Sequence, residues 1–383
     1  MKSVVIMLSL NKHFDRKVVL GIRRYLETAR GWSIYIEDDP LSRSPDFKDR
    51  SIDGIIAELD DPQIPRLITG LDVPIVGVGG IKPEYVDRFP ISTVETDNCR
   101  IAEMAAEHLL ECRIGHFAYC GMHLPTVDPW IEQRERAFVA YLRERGHRCS
   151  VFREKAAHSR RWIRLRTALS DWIVSLPKPA GVFACNDARA RHVLEACRIA
   201  GVRVPDDVAV MGVDNDELFC ELTHPRLTSI IQGTEEIGYR SAELLDATMR
   251  GRFRKKRHLA VPPVGIALRD STDVVASDDG VVSAAVSFIR DRATAGIQVE
   301  DVVRHVDVSR SNLVGRFEKA VGRSVHEEIQ RVRLNSVREL LATTDLSLER
   351  IARQTGYSSA QYLTTAFRRE FGQTPGRYRR AAR

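Results

Sequence analysis

The sequence predicts an α/β core of two lobes, built on doubly wound parallel sheets, and an all-α C-terminal domain with two helix-turn-helix units. Over residues 1–270, short apolar runs alternate with amphipathic stretches, which is typical of a parallel sheet covered on both faces by helices. The runs number about a dozen, which is too many for one compact sheet and favours two similar lobes. After residue 280, one helical pattern occurs twice.

The elements of the core are predicted from this alternation in chain order. The predicted strands are Val4–Leu8, Trp32–Ile36, Gly54–Ala57, Pro74–Val78, Ser92–Glu95, His116–Cys120, Val151–Phe152, Gly181–Cys185, Val208–Val213, Leu227–Ile231, Leu259–Val261 and Val264–Leu268. The predicted helices are Asp15–Arg30, Pro62–Leu71, Asp97–Glu111, Trp130–Glu144, Trp162–Ser175, Ala188–Ala200 and Glu235–Arg250. The first run lacks a small-residue cleavage site after it, so we interpret it as a buried strand.

The repeated pattern of the C-terminal domain has an offset of 50 residues. The matched positions are Ser309 and Ser359, Leu313 and Leu363, Phe317 and Phe367, and Gly322 and Gly372. In each copy the serine can cap a helix, the leucine and phenylalanine share one face, and the glycine ends the helix. A shorter amphipathic stretch precedes each copy, so each copy is predicted to be a helix-turn-helix unit. A helix over Val325–Ala342 is predicted to join the two units.

The exposed positions of the second helix in each unit suit contact with DNA, whereas an ordinary helical bundle would not require them. In such units the N-terminal side chains of the second helix reach base edges in the major groove. The residues predicted to contact DNA are Arg310, Ser311 and Val314 in the first unit and Ser359, Ala360, Gln361, Tyr362, Thr365 and Arg369 in the second. Residues 283–383 hold 18 Lys and Arg against 11 Asp and Glu, so the excess positive charge of the chain lies here.

Two family resemblances follow from these motifs. The closing run Phe371-Gly-Gln-Thr-Pro-Gly-Arg-Tyr-Arg379 is similar to the C-terminal signature of the AraC/XylS regulators. Residues 1–270 resemble the ligand-binding core of the LacI/GalR regulators, which has the type I periplasmic-binding-protein fold. The passages that carry this second resemblance are Thr96–Asn98, Phe183–Asp187, Val210–Asn215 and His224–Gln232.

The resemblances imply a division of the chain into domains. The LacI-type fold joins its lobes by three crossovers, which we expect near Gly121, Gln232 and Val261. The first lobe would then comprise about residues 1–121 and 233–260, and the second about 122–232 and 261–270. Residues 271–280, rich in Asp, Ser and Thr, are the expected linker, and residues 281–383 the DNA-binding domain.

A LacI-type core normally has its DNA-binding domain at the N-terminus, whereas here the AraC-like domain is C-terminal. This swapped order narrows the resemblance to the XylR-type family of xylose-responsive activators. The passages that carry it are Phe14–Gly21, Val73–Gly80, Asp187–His192 and Ser309–Leu313. The resemblance implies a D-xylose-dependent activator of xylose catabolic genes. The same architecture with another pentose or hexose as effector stays open, as does a sugar-binding or sugar-processing protein whose basic C-terminal domain is incidental.

Polar side chains just past the predicted strand ends are the candidate sugar ligands, because ligands of open α/β sheets bind at the carboxyl ends of the strands. Carboxylates and amides can grip the adjacent hydroxyls of a sugar ring. These candidates are Asp15, Asp97, Asn186, Asp187, Asp214 and Asn215. For any one of the acids, capping of the following helix is the alternative. Arg134 matches a ligand-contacting arginine of the LacI-type cores, with a surface salt bridge as its alternative, and Arg16 is the weakest candidate.

Other classes of function lack a motif. No apolar run approaches the length of a membrane span, and the seven cysteines have no metal-ligand spacing. Gly77-Val-Gly-Gly80 is a poor match to a dinucleotide-binding loop, so no cofactor is expected. No local motif supplies a matched acid and base, so we expect no enzyme. The expected partners are operator DNA, a small sugar, RNA polymerase and a second copy of the chain, in the cytoplasm.

Overall fold

The computed structural model of the protein divides into two compact units, Met1–Val274 and Val275–Arg383. It describes residues 1–29, 31–37, 51–60, 63–68, 70–80, 91–112, 114–122, 129–153, 161–252, 256–274 and 279–381. The predicted start of the linker at residue 271 is wrong, because Ser271 and Thr272 are buried in a 3-10 turn that packs on the first unit. The boundary between the units lies at Val274–Val275, and residues 275–278 lie outside the described part of the chain.

The first sheet of the N-terminal unit has six parallel strands in the order β11-β5-β4-β3-β1-β2. They are β1 (Lys2–Met7), β2 (Trp32–Glu37), β3 (Gly54–Glu58), β4 (Ile75–Val78), β5 (Ser92–Thr96) and β11 (His258–Val261). Its helices are α1 (His13–Thr28), α2 (Gln63–Ile68) and α8 (Thr234–Met249). All five residues of β3 are buried, as expected for a central strand covered on both faces.

The second sheet also has six strands, in the order β12-β10-β9-β8-β6-β7. They are β6 (His116–Cys120), β7 (Cys149–Phe152), β8 (Ala180–Ala184), β9 (Val208–Val213), β10 (Thr228–Ile231) and the antiparallel edge strand β12 (Gly265–Ala267). Its helices are α3 (Asn98–Glu111), α4 (Pro129–Glu144), α5 (Arg161–Ser175), α6 (Asp187–Ala200) and α7 (Glu217–Leu222). The predicted pair of doubly wound lobes is therefore present.

The predicted position of the first crossover near Gly121 is wrong. Strand β6 pairs with β7 and β8 of the second sheet, and Ile101 and Leu109 of α3 pack in the same core as Phe117. The chain therefore changes lobe at Asp97, between β5 and α3, which is 24 residues before the predicted Gly121. The error arises because hydrophobic periodicity predicts a strand but not which sheet it joins. The other two crossovers follow β10 and β11, next to Gln232 and Val261.

The C-terminal unit is all helical, as predicted. Its helices are α9 (Gly280–Arg292), α10 (Val299–Val306), α11 (Arg310–Val321), α12 (Val325–Thr343), α13 (Leu348–Gln354), α14 (Ala360–Phe371) and α15 (Pro375–Ala381). The first helix-turn-helix unit is α10 with α11, and the second is α13 with α14. Ser309 and Ser359 cap α11 and α14, the second helix of each unit, by accepting backbone N–H groups, and Gly322 and Gly372 end them in the left-handed conformation.

Candidate functional site

A cavity of about 400 Å³ lies between the two lobes of the N-terminal unit, at the carboxyl ends of the sheet strands. The side chains on its wall come from both lobes. They include Asn11, Lys12, His13, Phe14, Glu58 and Glu95 from the first lobe and Asn98, Trp130, Arg134, Asn186, Asp214, Asp216 and Phe219 from the second, with Gln232 at a crossover. The wall combines charged groups with three aromatic rings, which is the composition expected of a site for a small polar ligand.

Arg134 is held rigidly in this wall. Its side chain is buried, Nε donates to Oδ1 of Asn98 at 2.9 Å, and Nη1 donates to the carbonyl oxygen of Cys185 at 2.6 Å. The guanidinium carbon lies 4.7 Å from the centre of the Trp130 ring. Within the described residues these bonds use two of the five N–H donors, so the others remain for a ligand.

Asp214 lies next to Gln232, which is at the crossover between the lobes that follows β10. It follows β9 with φ of 113°, and its Oδ1 accepts a hydrogen bond from Nε2 of Gln232. Gln232 accepts in turn from Oγ1 of Thr96 at 2.7 Å, so one hydrogen-bonded chain joins the two lobes. Burial raises the pKa of Asp214 to about 6, although Arg134 and the Gln232 amide act to lower that pKa.

A second charged cluster forms the wall of the first lobe. Lys12 Nζ lies 2.5 Å from Oε1 of Glu58, which is buried at the end of β3. Asp15 is fully buried next to this pair, and its Oδ2 accepts the N–H of Ser9 at 2.9 Å. Burial and the neighbouring Glu58 carboxyl raise the pKa of Asp15 to about 8, against the effect of Lys12.

The structure brings three of the predicted sugar ligands, Arg134, Asn186 and Asp214, to the wall of the cavity. Asn215 lines an adjoining cavity of about 280 Å³, whose wall also includes Asp214 and Gln232.

The other four predicted ligands do not line the first cavity, because their polar groups are used elsewhere. Asp15 bonds to a backbone amide beneath the wall, as described above. Arg16 donates to the carbonyl oxygens of Leu10 and Asn11, and Asp97 caps α3 by accepting the N–H of Arg100. Asp187 is fully buried and accepts from Ser229 Oγ at 2.6 Å and from the N–H of Asp216 at 2.8 Å.

Several wall residues were not predicted from the sequence. Glu58 follows the apolar run Gly54–Ala57 as Asp214 follows Val208–Val213, so the rule of strand ends could have found it. Gln232 closes one of the passages that resemble the LacI-type cores. Trp130 and Lys12 carry no signal of this kind, because an aromatic residue at a helix start and a loop lysine are common in any fold.

The predicted DNA-contacting residues lie on the two helices α11 and α14. Ser311, Gln361, Tyr362, Thr365 and Arg369 are exposed, and Val314 and Ala360 are half-buried. Exposed Ser359 caps α14, and exposed Arg310 forms an ion pair with Glu300 at 2.7 Å. Contact of these residues with DNA stays a prediction.

The described residues contain neither a membrane-spanning helix nor a metal-binding cluster of side chains. No helix there is long and apolar enough to cross a membrane. That part of the chain also contains no cluster of three or more His, Cys, Asp or Glu side chains able to hold a metal ion.

Family models match most of the chain. Residues 3–99 match the XylR N-terminal domain, residues 106–272 match a periplasmic binding protein-like domain, and residues 302–381 match a helix-turn-helix domain. These matches agree with the fold and with the resemblances seen in the sequence.

Two curated relatives match the chain over nearly their whole length. The xylose operon regulatory protein of Haemophilus influenzae is 35% identical over 379 residues, which cover 98% of this chain and 97% of that protein. The protein of the same name from Escherichia coli K12 is 36% identical over 377 residues, 98% and 96% of the two chains.

Solved structures agree. One described as the xylose-binding transcription activator xylR covers 99% of this chain and 98% of its own, with 35% identity and a TM-score of 0.77. A LacI family regulator from Enterococcus faecium with bound ribose has 21% identity and a TM-score of 0.56 over 71% of this chain and 98% of its own, which shows the shared core fold. On the identity and coverage of its whole-length relatives, the chain belongs to the family of xylose operon regulatory proteins.

Proposed function

We propose that the protein is a D-xylose-responsive transcription activator of the cytoplasm, with the sugar bound in the cavity between the lobes. The observation that carries the proposal is that Asp214, Arg134 and Trp130 line the same cavity, with the guanidinium of Arg134 next to the Trp130 ring. A carboxylate accepts from adjacent sugar hydroxyls, a guanidinium donates to them, and an aromatic face covers the C–H face of the ring. Relatives named for the xylose operon support xylose as the effector.

A binding role suits this cavity better than a catalytic one. Two of its carboxylates, Asp214 and Glu58, already have partners in Gln232 and Lys12. A hydrolytic pair would need one carboxyl as acid and one as base on either side of the substrate. We therefore assign the cavity to recognition and propose no reaction for it.

Thermal unfolding in the presence of sugars tests the effector. A ligand at 100 times its Kd stabilises the folded state by about 2.7 kcal/mol, so the melting temperature rises with concentration. We expect D-xylose to raise it at lower concentration than D-ribose, L-arabinose or D-glucose. A larger shift with another sugar would reassign the effector, and no shift with any sugar would contradict a sugar sensor.

Gln361 is the side chain of α14 best suited to a bidentate contact with adenine. It is exposed near the start of this helix, two residues after the cap Ser359. We expect Gln361→Ala to weaken binding to the protein's own operator by about 1–3 kcal/mol and binding to random DNA very little. Fluorescence anisotropy with both duplexes measures the two losses.

Arg369→Ala is the comparison variant for this prediction. Arg369 is exposed, and an arginine that contacts phosphate contributes equally to the binding of any DNA sequence. It should weaken operator and random DNA nearly equally and reduce the salt dependence of both. An unchanged sequence preference in Gln361→Ala would remove this residue from base readout.

We propose that the protein works as a homodimer whose two C-terminal DNA-binding units occupy adjacent half-sites, and that sugar controls the relative arrangement of these two units. A ligand shifts such an equilibrium only by its difference in affinity for the two arrangements. Saturating operator DNA must then tighten sugar binding by the factor by which sugar tightens DNA binding. We expect calorimetry to give about a tenfold lower sugar Kd when a duplex with both half-sites is present.

A duplex of scrambled sequence is the control for this coupling. Equal sugar affinities with the operator and with the scrambled duplex would show that sugar does not control DNA binding at equilibrium. Sugar would then have to act after binding, through contact with RNA polymerase.

A further inference from the structure

The long helix α12 passes through two separate hydrophobic cores. Val325 and Ile329 belong to the core of the first helix-turn-helix unit, and Leu334, Val337 and Leu341 belong to the core of the second. Arg333 lies on this helix where the first core ends and the second begins, and only 4% of it is exposed. A charged side chain thus occupies the place where the two units meet.

The guanidinium of Arg333 is bound to the backbone that leads into the first unit. Its Nε donates to the carbonyl oxygen of Ala293 at 2.8 Å, and its Nη2 donates to that of Ile297 at 2.6 Å. Ala293 is the first residue of the 3-10 turn Ala293–Ala295, and Ile297 follows the glycine that ends this turn, just before α10. The planar guanidinium fixes both bonds in one orientation.

The turn of the second unit reaches the same place. The Cζ of Arg333 lies 5.9 Å from the ring centre of Tyr357, whose hydroxyl donates to Oε1 of Gln330 at 2.9 Å. Gly356 has φ of 76°, and a Cβ there would lie 2.9 Å from the carbonyl oxygen of Ala293. Only glycine allows the two backbones to come this close.

The buried arginine at this junction contributes more to the relative orientation of the two helix-turn-helix units than to the stability of the fold. Burying a guanidinium costs free energy that its hydrogen bonds recover in part, and an apolar residue of similar size would fill the space without that cost. An apolar residue, however, makes no directional bond to the Ala293 and Ile297 carbonyls. The arginine therefore restricts how the segment before α10 can rotate about α12, which hydrophobic packing alone does not do.

We propose that Arg333 is a positioning residue that sets the distance and angle between the recognition helices α11 and α14, and thereby the spacing at which two DNA segments are read. The inference rests on the proposed reading of DNA by both units. Successive major-groove faces recur every 10–10.5 base pairs, so each added base pair rotates one segment against the other by roughly a tenth of a turn. When the junction between the two units is rigid, this rotation removes contacts and the affinity falls. A more flexible junction can follow the rotation and keeps more of the affinity.

The test uses the full-length chain and a duplex that the wild type selects from a random library. Footprinting defines, within each half-site, the two segments that the two helix-turn-helix units of one chain protect. One base pair is then inserted or deleted between the segments. We expect the wild type to lose about tenfold in affinity for the altered duplexes, as for a spoiled base contact. Arg333→Met should bind the selected duplex more weakly but lose much less than the wild type on insertion or deletion.

Arg338→Met is the matched control on the same helix. Its guanidinium carbon lies 5.7 Å from the ring centre of Phe371, in the second unit alone, so this variant should keep the wild-type spacing preference. Arg333→Lys, which keeps the charge but cannot reach both carbonyls in the same plane, should give an intermediate preference and serves if the methionine variant does not fold.

The outcomes separate this proposal from the one on which it rests. A wild type indifferent to spacing would contradict reading by both units and remove this inference with it. A wild type that discriminates while folded Arg333 variants discriminate equally well would overturn the role of Arg333 alone. Equal losses of discrimination in Arg333→Met and Arg338→Met would also overturn it, because any shortened arginine would then have the same effect.

Discussion

Replacing Asp214 with alanine is expected to abolish the rise in melting temperature that sugar produces, while the far-UV spectrum stays unchanged. A hydrogen bond to a charged group contributes about 1.5–3 kcal/mol, so a carboxylate that accepts two sugar hydroxyls accounts for more than a hundredfold in Kd. The substitution also releases Gln232, which links Asp214 to Thr96 across the lobes. Both effects weaken the bound state.

Asp171→Ala is the control, because Asp171 is an exposed carboxylate on α5 of the same lobe. It should bind sugar as the wild type does. Calorimetric titration of both variants decides the matter. A normal sugar titration in Asp214→Ala would remove Asp214 from the site and direct attention to the Lys12 and Glu58 wall.

The raised pKa of Asp214 predicts how sugar affinity depends on pH. Hydroxyls that donate to Asp214 favour its carboxylate, so sugar binds the deprotonated form and lowers this pKa. Because the pKa without sugar is about 6, affinity should be full above about pH 7 and fall as the pH drops through 6. Titrations between pH 5 and 8 measure this, and Asp214→Asn should lack the step.

In the absence of sugar, the contribution of Asp214 to the free energy of unfolding should change with pH in the opposite direction to the sugar affinity. A pKa raised in the folded state means that folding favours the protonated carboxyl. The contribution of Asp214 is therefore present below the ordinary pKa of aspartate and is lost as the pH rises through about 6. Without sugar, Asp214→Asn should therefore be more stable than the wild type at pH 8. An equal or lower stability of this variant at pH 8 would contradict the raised pKa.

The sequence predicted the elements well because each depends on a local pattern. The serines that cap α11 and α14 and the glycines that end them are visible as letters at fixed offsets. The sheet that β6 joins depends instead on contacts with residues distant in sequence, such as Ala180 of β8, and no local pattern encodes them. The first crossover was misplaced for this reason.

The candidate site was predictable only in part, because a residue type does not reveal how its polar atoms are used. Asp187 and Asp214 both follow strands of the second lobe, and the sequence treats them alike. The structure separates them, since Asp187 turns inward to Ser229 while Asp214 lines the cavity. Likewise, the sequence does not distinguish Arg333 from the other cations on its amphipathic helix. The structure does, because Arg333 donates to two backbone carbonyls.

The second large effect is expected at Gly21, in the middle of α1. A Cβ at this position would lie 1.9 Å from the carbonyl oxygen of Glu235 on α8, and a Cβ at Gly238 would lie 1.9 Å from that of Val18. The two helices therefore cross in backbone contact at a pair of glycines. Each glycine costs about 1 kcal/mol relative to alanine in a helix, so the close packing must offset about 2 kcal/mol.

We expect Gly21→Ala to destabilise the N-terminal unit by about 3 kcal/mol or more, because the helices must separate and leave a void in the core that Val18 and Ile22 share with Ile237. Helix propensity alone predicts the opposite sign, and the clash with backbone atoms outweighs it. At about 2–4 °C per kcal/mol for a unit of this size, the melting temperature should fall by roughly 6–12 °C.

Gly315→Ala separates these two effects, since Gly315 is an exposed glycine inside α11 where a Cβ meets nothing within 4 Å. There the helix propensity acts alone, and the reader unit should gain about 0.5–1 kcal/mol. Calorimetry of both variants compares the signs directly. A Gly21→Ala protein that melts at or above the wild-type temperature would show that α1 and α8 do not cross in backbone contact.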